Sequence, residues 1–349
     1  MITMRELLAQ LHAETPLAPD LPERVGQALI VPVPATTPWY IHALVAFGAS
    51  IAALLLLVFT GMTGAITSAA GAITVGGMLI VAAIALRFMV RSVSWLAQLP
   101  LAFSMVGALM VFGGVLLIDG SFDSTLSLTR ALLALALVEP LLILFYPDQL
   151  RRLLSTLLLA LTICWLLLLN ELPLAAALFV AALGWGVALL WLHEPLLSRY
   201  ADILRPVAYG LVFGLFACLV SLLFGPATPR WPLSLALAAA LAYATWSLLP
   251  RATLQTRLLA LLGVLLLLLP AWETPGILAA ALVLLLGFSR GNRILVGLGG
   301  LFLAGFIGFF YYSLAATLLV KSFALVGAGL LLLAARAVVL RASARAGLL

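Results

Sequence analysis

Residues 131–146 read Ala-Leu-Leu-Ala-Leu-Ala-Leu-Val-Glu-Pro-Leu-Leu-Ile-Leu-Phe-Tyr, and Glu139 is their only charge. Apolar and polar positions do not alternate here, as they do along a barrel strand, and the run is too long for a buried strand. Lipid offers the backbone no hydrogen-bond partner, so a segment of this kind satisfies its own amides as a helix. The stretch is predicted as most of a membrane span over 125–146, with a carboxylate held inside it.

Similar runs fill the chain on either side. Of 349 residues, 65% are hydrophobic and 9% are charged, and the mean hydropathy is +1.27. Soluble domains carry roughly 25% charged residues, so no water-soluble fold hides this much apolar surface. Spans are predicted over 40–60, 69–87, 95–118, 125–146, 152–170, 173–192, 204–224, 232–249, 257–270, 274–288, 294–312 and 317–338. The pair 257–270 and 274–288 is short, and reads either as two full spans or as a tilted, re-entrant pair. The expected fold is all-α: a polytopic integral membrane helix bundle of about 10–12 transmembrane helices.

The segment 1–38 is expected to lie outside this domain, which runs over 39–349. Met4–Ala13 suits a short amphipathic helix on the membrane surface, and Pro16, Pro19, Pro22, Pro32, Pro34 and Pro38 suit an extended wrap. No apolar core of a signal peptide is found there.

Charge sorts by side. Arg5, Arg24, Arg87, Arg91, Arg151, Arg152, Arg199, Arg205, Arg251, Arg257, Arg290, Arg293, Arg336, Arg341 and Arg345 all fall in tails or loops of one face. Asp119, Asp123, Glu171, Glu273 and Arg230 fall on the other. The positive-inside rule then places both termini in the cytoplasm. The net charge of +6 is thereby a topological signal, and nucleic acid is not an expected partner; the lipid bilayer is. Cys164 and Cys218 lie within apolar runs and read as free core thiols. His12, His42 and His193 are too scattered for a metal or haem site, so no metal and no cofactor is expected.

Few residues carry chemistry. Glu139, followed by the helix-bending Pro140, is either a cation or proton site or a paired carboxylate that ties helices together. Lys321, the single lysine, is its candidate partner, or snorkels to the interface. Arg290 and Arg293, with Asn292 between them in a glycine-containing turn, suit an anionic lipid headgroup or a partner's carboxylate, or serve only topology. Tyr311 and Tyr312 suit an interfacial aromatic belt.

Four stretches together resemble a known family: Pro38-Trp-Tyr-Ile-His42, Leu286-Gly-Phe-Ser-Arg-Gly-Asn-Arg293, Phe310-Tyr-Tyr-Ser-Leu314 and Thr317-Leu-Leu-Val-Lys-Ser322. They look like a family of uncharacterised bacterial inner-membrane proteins, a domain of unknown function, over residue 38 to the C-terminus. The resemblance adds weight to Arg290, Asn292, Arg293, Tyr311, Tyr312 and Lys321, and implies a second small membrane protein as partner. The expected role is a non-enzymatic subunit or scaffold of a membrane complex. The alternative is a transporter or channel for a small molecule or ion that uses Glu139.

Overall fold

The computed structural model describes residues 48, 51–52, 55–62, 64, 68–89, 98–119, 124–194, 200–224, 229–250 and 253–313. The chain divides into two compact units, Met1–Ala52 and Ala53–Leu349, and the helix bundle is the second. The expectations for 1–38, for the span 317–338 and for Lys321 lie outside the described residues.

Ten helices follow one another: α1 (Ala69–Met89), α2 (Gln98–Leu116), α3 (Thr125–Phe145), α4 (Gln149–Leu169), α5 (Pro173–Leu192), α6 (Ala201–Phe224), α7 (Arg230–Leu248), α8 (Leu254–Ala271), α9 (Pro275–Ser289) and α10 (Arg293–Ser313). A further helical stretch covers 55–62, and no strand occurs among the described residues. Seven helices, α1 to α7, are long and apolar enough to cross a membrane. The surface agrees: Met78, Val81, Leu137, Leu144 and Leu301 face outward with more than half of their area exposed. This is an all-α, multi-pass membrane protein.

Helix ends are set by local chemistry. Ser124 begins α3 by accepting from the Ser127 amide, and Asp148 begins α4 by accepting from the Arg151 amide. Each side chain satisfies one of the donors that a helix start leaves free. In the α9–α10 turn, Gly291 adopts φ +61°, where a Cβ would be strained. The Asn292 amide reaches back to the Gly287 carbonyl, while its side-chain oxygen accepts from Ile294 and Leu295. Gly291 therefore ends α9 and Asn292 starts α10.

Small residues let helices approach where lipid supplies no hydrophobic drive between them. Gly76 of α1 and Gly107 of α2 face one another so closely that a Cβ on Gly76 would meet the Gly107 oxygen at 2.8 Å. The main core lies among α4 to α10, with Phe216 stacked on Phe302 at 3.8 Å. A smaller core of Ala83, Leu142 and Tyr146 joins α1 to α3.

The short pair forms two helices that pack along the bundle. Arg257 in α8 donates to the Leu249 carbonyl at the end of α7, and Ser234 near the start of α7 donates to the carbonyls of Ala271 and Trp272. Helix α8 thus runs antiparallel beside the whole of α7. Helix α9 returns: Gly276 at its start lies against Phe306 late in α10, and Arg290 at its end donates to Leu192 at the end of α5. At 15 residues α9 is only about 22 Å long, shorter than the hydrocarbon layer. Ten of those residues are buried, so protein rather than lipid surrounds it. Both helices of the pair are shorter than the seven helices that are long and apolar enough to cross a membrane.

Candidate functional site

Hydrogen bonds gather the basic residues at one end of the bundle. Arg87, in the last turn of α1, pairs with Asp148 at 3.2 Å. Arg152 in α4 donates 3.1 Å to the Asp202 carbonyl in α6. Arg205 in α6 pairs with Glu194 at 3.0 Å, and Arg290 donates 2.6 Å to the Leu192 carbonyl. Two sites are built here, one sealed and one open.

The sealed site holds Glu139. Its Oε1 lies 3.3 Å from Arg151 Nη2, and both side chains are 0% exposed. Glu139 is six residues before the end of α3, so it sits about 9 Å inside that end. Arg151 lies in the first turn of α4 and reaches inward, with its Nη1 3.2 Å from Met105 Sδ of α2. A buried carboxylate is costly unless paired, and here the counter-charge comes from the next helix, twelve residues on. Glu139 Oε2, Arg151 Nε, Ser155 Oγ and Tyr146 OH are buried without a hydrogen-bond partner among the described residues.

This corrects the expectation that Arg151 and Arg152 are loop charges. Helix α4 begins at Gln149, three residues before the predicted 152, and both arginines are buried within it. Arg152 does backbone work. Its Nε donates to the Ile143 carbonyl in the last turn of α3, where helix carbonyls lack internal partners. Its Nη1 takes the Asp202 carbonyl, whose own helical partner would be the nitrogen of Pro206, which has no hydrogen.

The open site is a cleft of about 1030 Å³ between the start of α4, the end of α5, the start of α6 and the α9–α10 turn. Trp191, Arg205, Tyr209, Arg290 and Asn292 are among its lining residues. Asn292 Nδ2 donates 2.6 Å to Tyr209 OH, and Trp191 packs edge-on against the Tyr209 ring at 5.1 Å. With its oxygen used in capping, Asn292 is committed to the turn. Trp191 Nε1 and Arg290 Nε are buried without an acceptor among the described residues.

The residues singled out from sequence are therefore dispersed. Arg290 and Asn292 meet at the cleft, while Arg293 is exposed at the start of α10. Tyr311 and Tyr312, T-shaped at 5.5 Å, lie at the other end of that helix, about 27 Å from Arg293 by helical rise. Trp191, Arg205 and Tyr209 were not anticipated as site residues, since each looks like ordinary interface or core composition. Among the described residues, no group of His, Cys, Asp and Glu is placed to hold a metal ion, and Cys164 and Cys218 are buried free thiols.

No curated protein and no solved structure matches the chain. A family match extends over most of its length, through all of α1 to α10. The chain belongs to DUF4401, a domain of unknown function, which covers residues 38–342.

Proposed function

We propose that the protein is a non-enzymatic subunit or scaffold of a membrane complex, resident in the bacterial inner membrane with its basic end and both termini in the cytoplasm. The observation that carries this reading is the pairing of Glu139 with Arg151, both fully buried. The carboxylate that sequence marks as a candidate transport group already has a counter-charge, and the pair ties α3 to α4. Orientation rests on the gathering of Arg87, Arg152, Arg205, Arg257 and Arg290 at one end, under the positive-inside rule. A second small membrane protein is the proposed partner.

The test is affinity purification of the tagged chain in mild detergent, with mass spectrometry of what accompanies it. A membrane protein recovered at fixed stoichiometry supports the subunit reading. A chain that purifies alone, and whose Glu139→Gln variant folds normally but loses uptake of a solute, overturns it. That outcome belongs to the second reading, a transporter or channel. One observation favours it: Glu139 Oε2 is buried with no donor among the described residues, an acceptor suited to a proton or cation.

A further inference from the structure

The cleft beside the α9–α10 turn is unbalanced in one direction. Two residues that line it, Trp191 and Arg290, each carry a buried N–H group, Nε1 and Nε, with no acceptor among the described residues, and both groups donate and cannot accept. They come from different helices, α5 and the end of α9. Trp191 is 3% exposed, and it is one of the residues that line the cleft. Tyr209, whose oxygen accepts from Asn292, keeps its own hydroxyl hydrogen as a third donor.

Charge points the same way. Arg205 has Glu194 beside it at 3.0 Å. Arg290 has only the Leu192 carbonyl, and no carboxylate pairs with it among the described residues. A part-buried guanidinium without a counter-ion favours an anion. The first turns of α4 and α6 border the same space through Gln149, Leu150 and Ala201, and helix starts carry positive partial charge.

The remaining wall is apolar. Leu150, Leu153 and Pro206 line the cleft beside the donors. The cleft also sits where candidate spans end, between the start of α4, the end of α5 and the start of α6. A volume of about 1030 Å³ accepts more than a bare ion.

We propose that this cleft binds a phosphoryl group, with the headgroup of an anionic phospholipid as its source and the Arg290 guanidinium and Trp191 indole as its donors. Arg290 Nε and the Trp191 N–H each give a hydrogen bond to a phosphate oxygen. The Leu150 and Leu153 side receives the glycerol and upper acyl region.

The experiment uses the full-length protein, purified and stripped of lipid in detergent. Native mass spectrometry then counts retained phosphatidylglycerol against diacylglycerol of the same chains, with glycerol phosphate as a soluble competitor. One phosphatidylglycerol per chain, no diacylglycerol and weak competition support a lipid phosphate. Equal competition by glycerol phosphate keeps the phosphoryl site and assigns it to a soluble ester. Arg290→Gln lowers retention about tenfold or more, and Trp191→Phe lowers it about three- to tenfold, from the strength of hydrogen bonds to charged groups. Arg290→Lys, which keeps the charge, retains most of the binding and covers the case in which Arg290→Gln does not fold. Retention of diacylglycerol equal to phosphatidylglycerol overturns the proposal. So does wild-type retention in monodisperse Arg290→Gln or Trp191→Phe protein.

Discussion

Arg151 and Arg290 sit at the same end of the bundle and are used in opposite ways. The Arg151 guanidinium is sealed from solvent, faces a carboxylate and joins two consecutive helices. The Arg290 guanidinium has a backbone carbonyl, no carboxylate among the described residues, and an open cleft beside it. One charge is neutralised within the chain. The other remains available. A count of arginines per loop treats both alike, yet only where the side chain turns decides whether the charge holds the fold or meets something outside it.

The sharpest way to break this comparison is to remove each guanidinium in turn. Arg151→Ala leaves Glu139 buried and unpaired, and is expected to destabilise by about 3–5 kcal/mol, read from unfolding in detergent. Glu139→Leu with Arg151→Met removes both charges at similar volume and should return to within about 1–2 kcal/mol of the parent. If the double variant is as unstable as Arg151→Ala, packing rather than the ion pair holds α3 to α4.

Glu139→Gln comes next, at about 1–3 kcal/mol, because the amide oxygen still accepts from Arg151 while the charge match is lost. Arg290→Ala is expected to cost only about 1 kcal/mol, the loss of one hydrogen bond to a carbonyl. A loss as large as that of Arg151→Ala would abolish the distinction between the sealed and open arginines.

The smallest effect sharpens the role of Arg152. Pro206→Ala returns an N–H to the Asp202 carbonyl, so Arg152→Ala should hurt less in that background than in the parent. The expected coupling is about 0.5–1 kcal/mol in a double-mutant cycle. A coupling of zero would mean that Arg152 acts through the Ile143 carbonyl alone.

The membrane fold was legible in the sequence because it rests on long one-dimensional runs. The predicted 173–192 coincides with α5, and 125–146 with α3 to within one residue. The ion pair was not legible, for a reason that one residue supplies. Asp148 is the N-cap of α4, and reading it so would have started the helix at Gln149 and drawn Arg151 inside. Hydropathy instead places the start of the span at 152, because charges lower hydropathy wherever they point. The α9–α10 turn was visible through Gly291 and Asn292, whose residue types answer backbone needs. The cleft was not, because Trp191, Tyr209 and Arg290 are distant in sequence and meet only through packing.

The twelve residues between Glu139 and Arg151 bear on how the protein enters its membrane. A lone carboxylate in mid-helix raises the free energy of insertion by about 2.5–3.5 kcal/mol. Here the opposite charge leaves the ribosome within a second or so of synthesis, on the far side of a three-residue turn. Helices α3 and α4 can therefore partition as one hairpin in which Glu139 is already neutralised. A counter-charge on a much later helix would leave α3 to be released into lipid alone. The pair makes the α3–α4 hairpin, rather than the single helix, the natural unit of biogenesis.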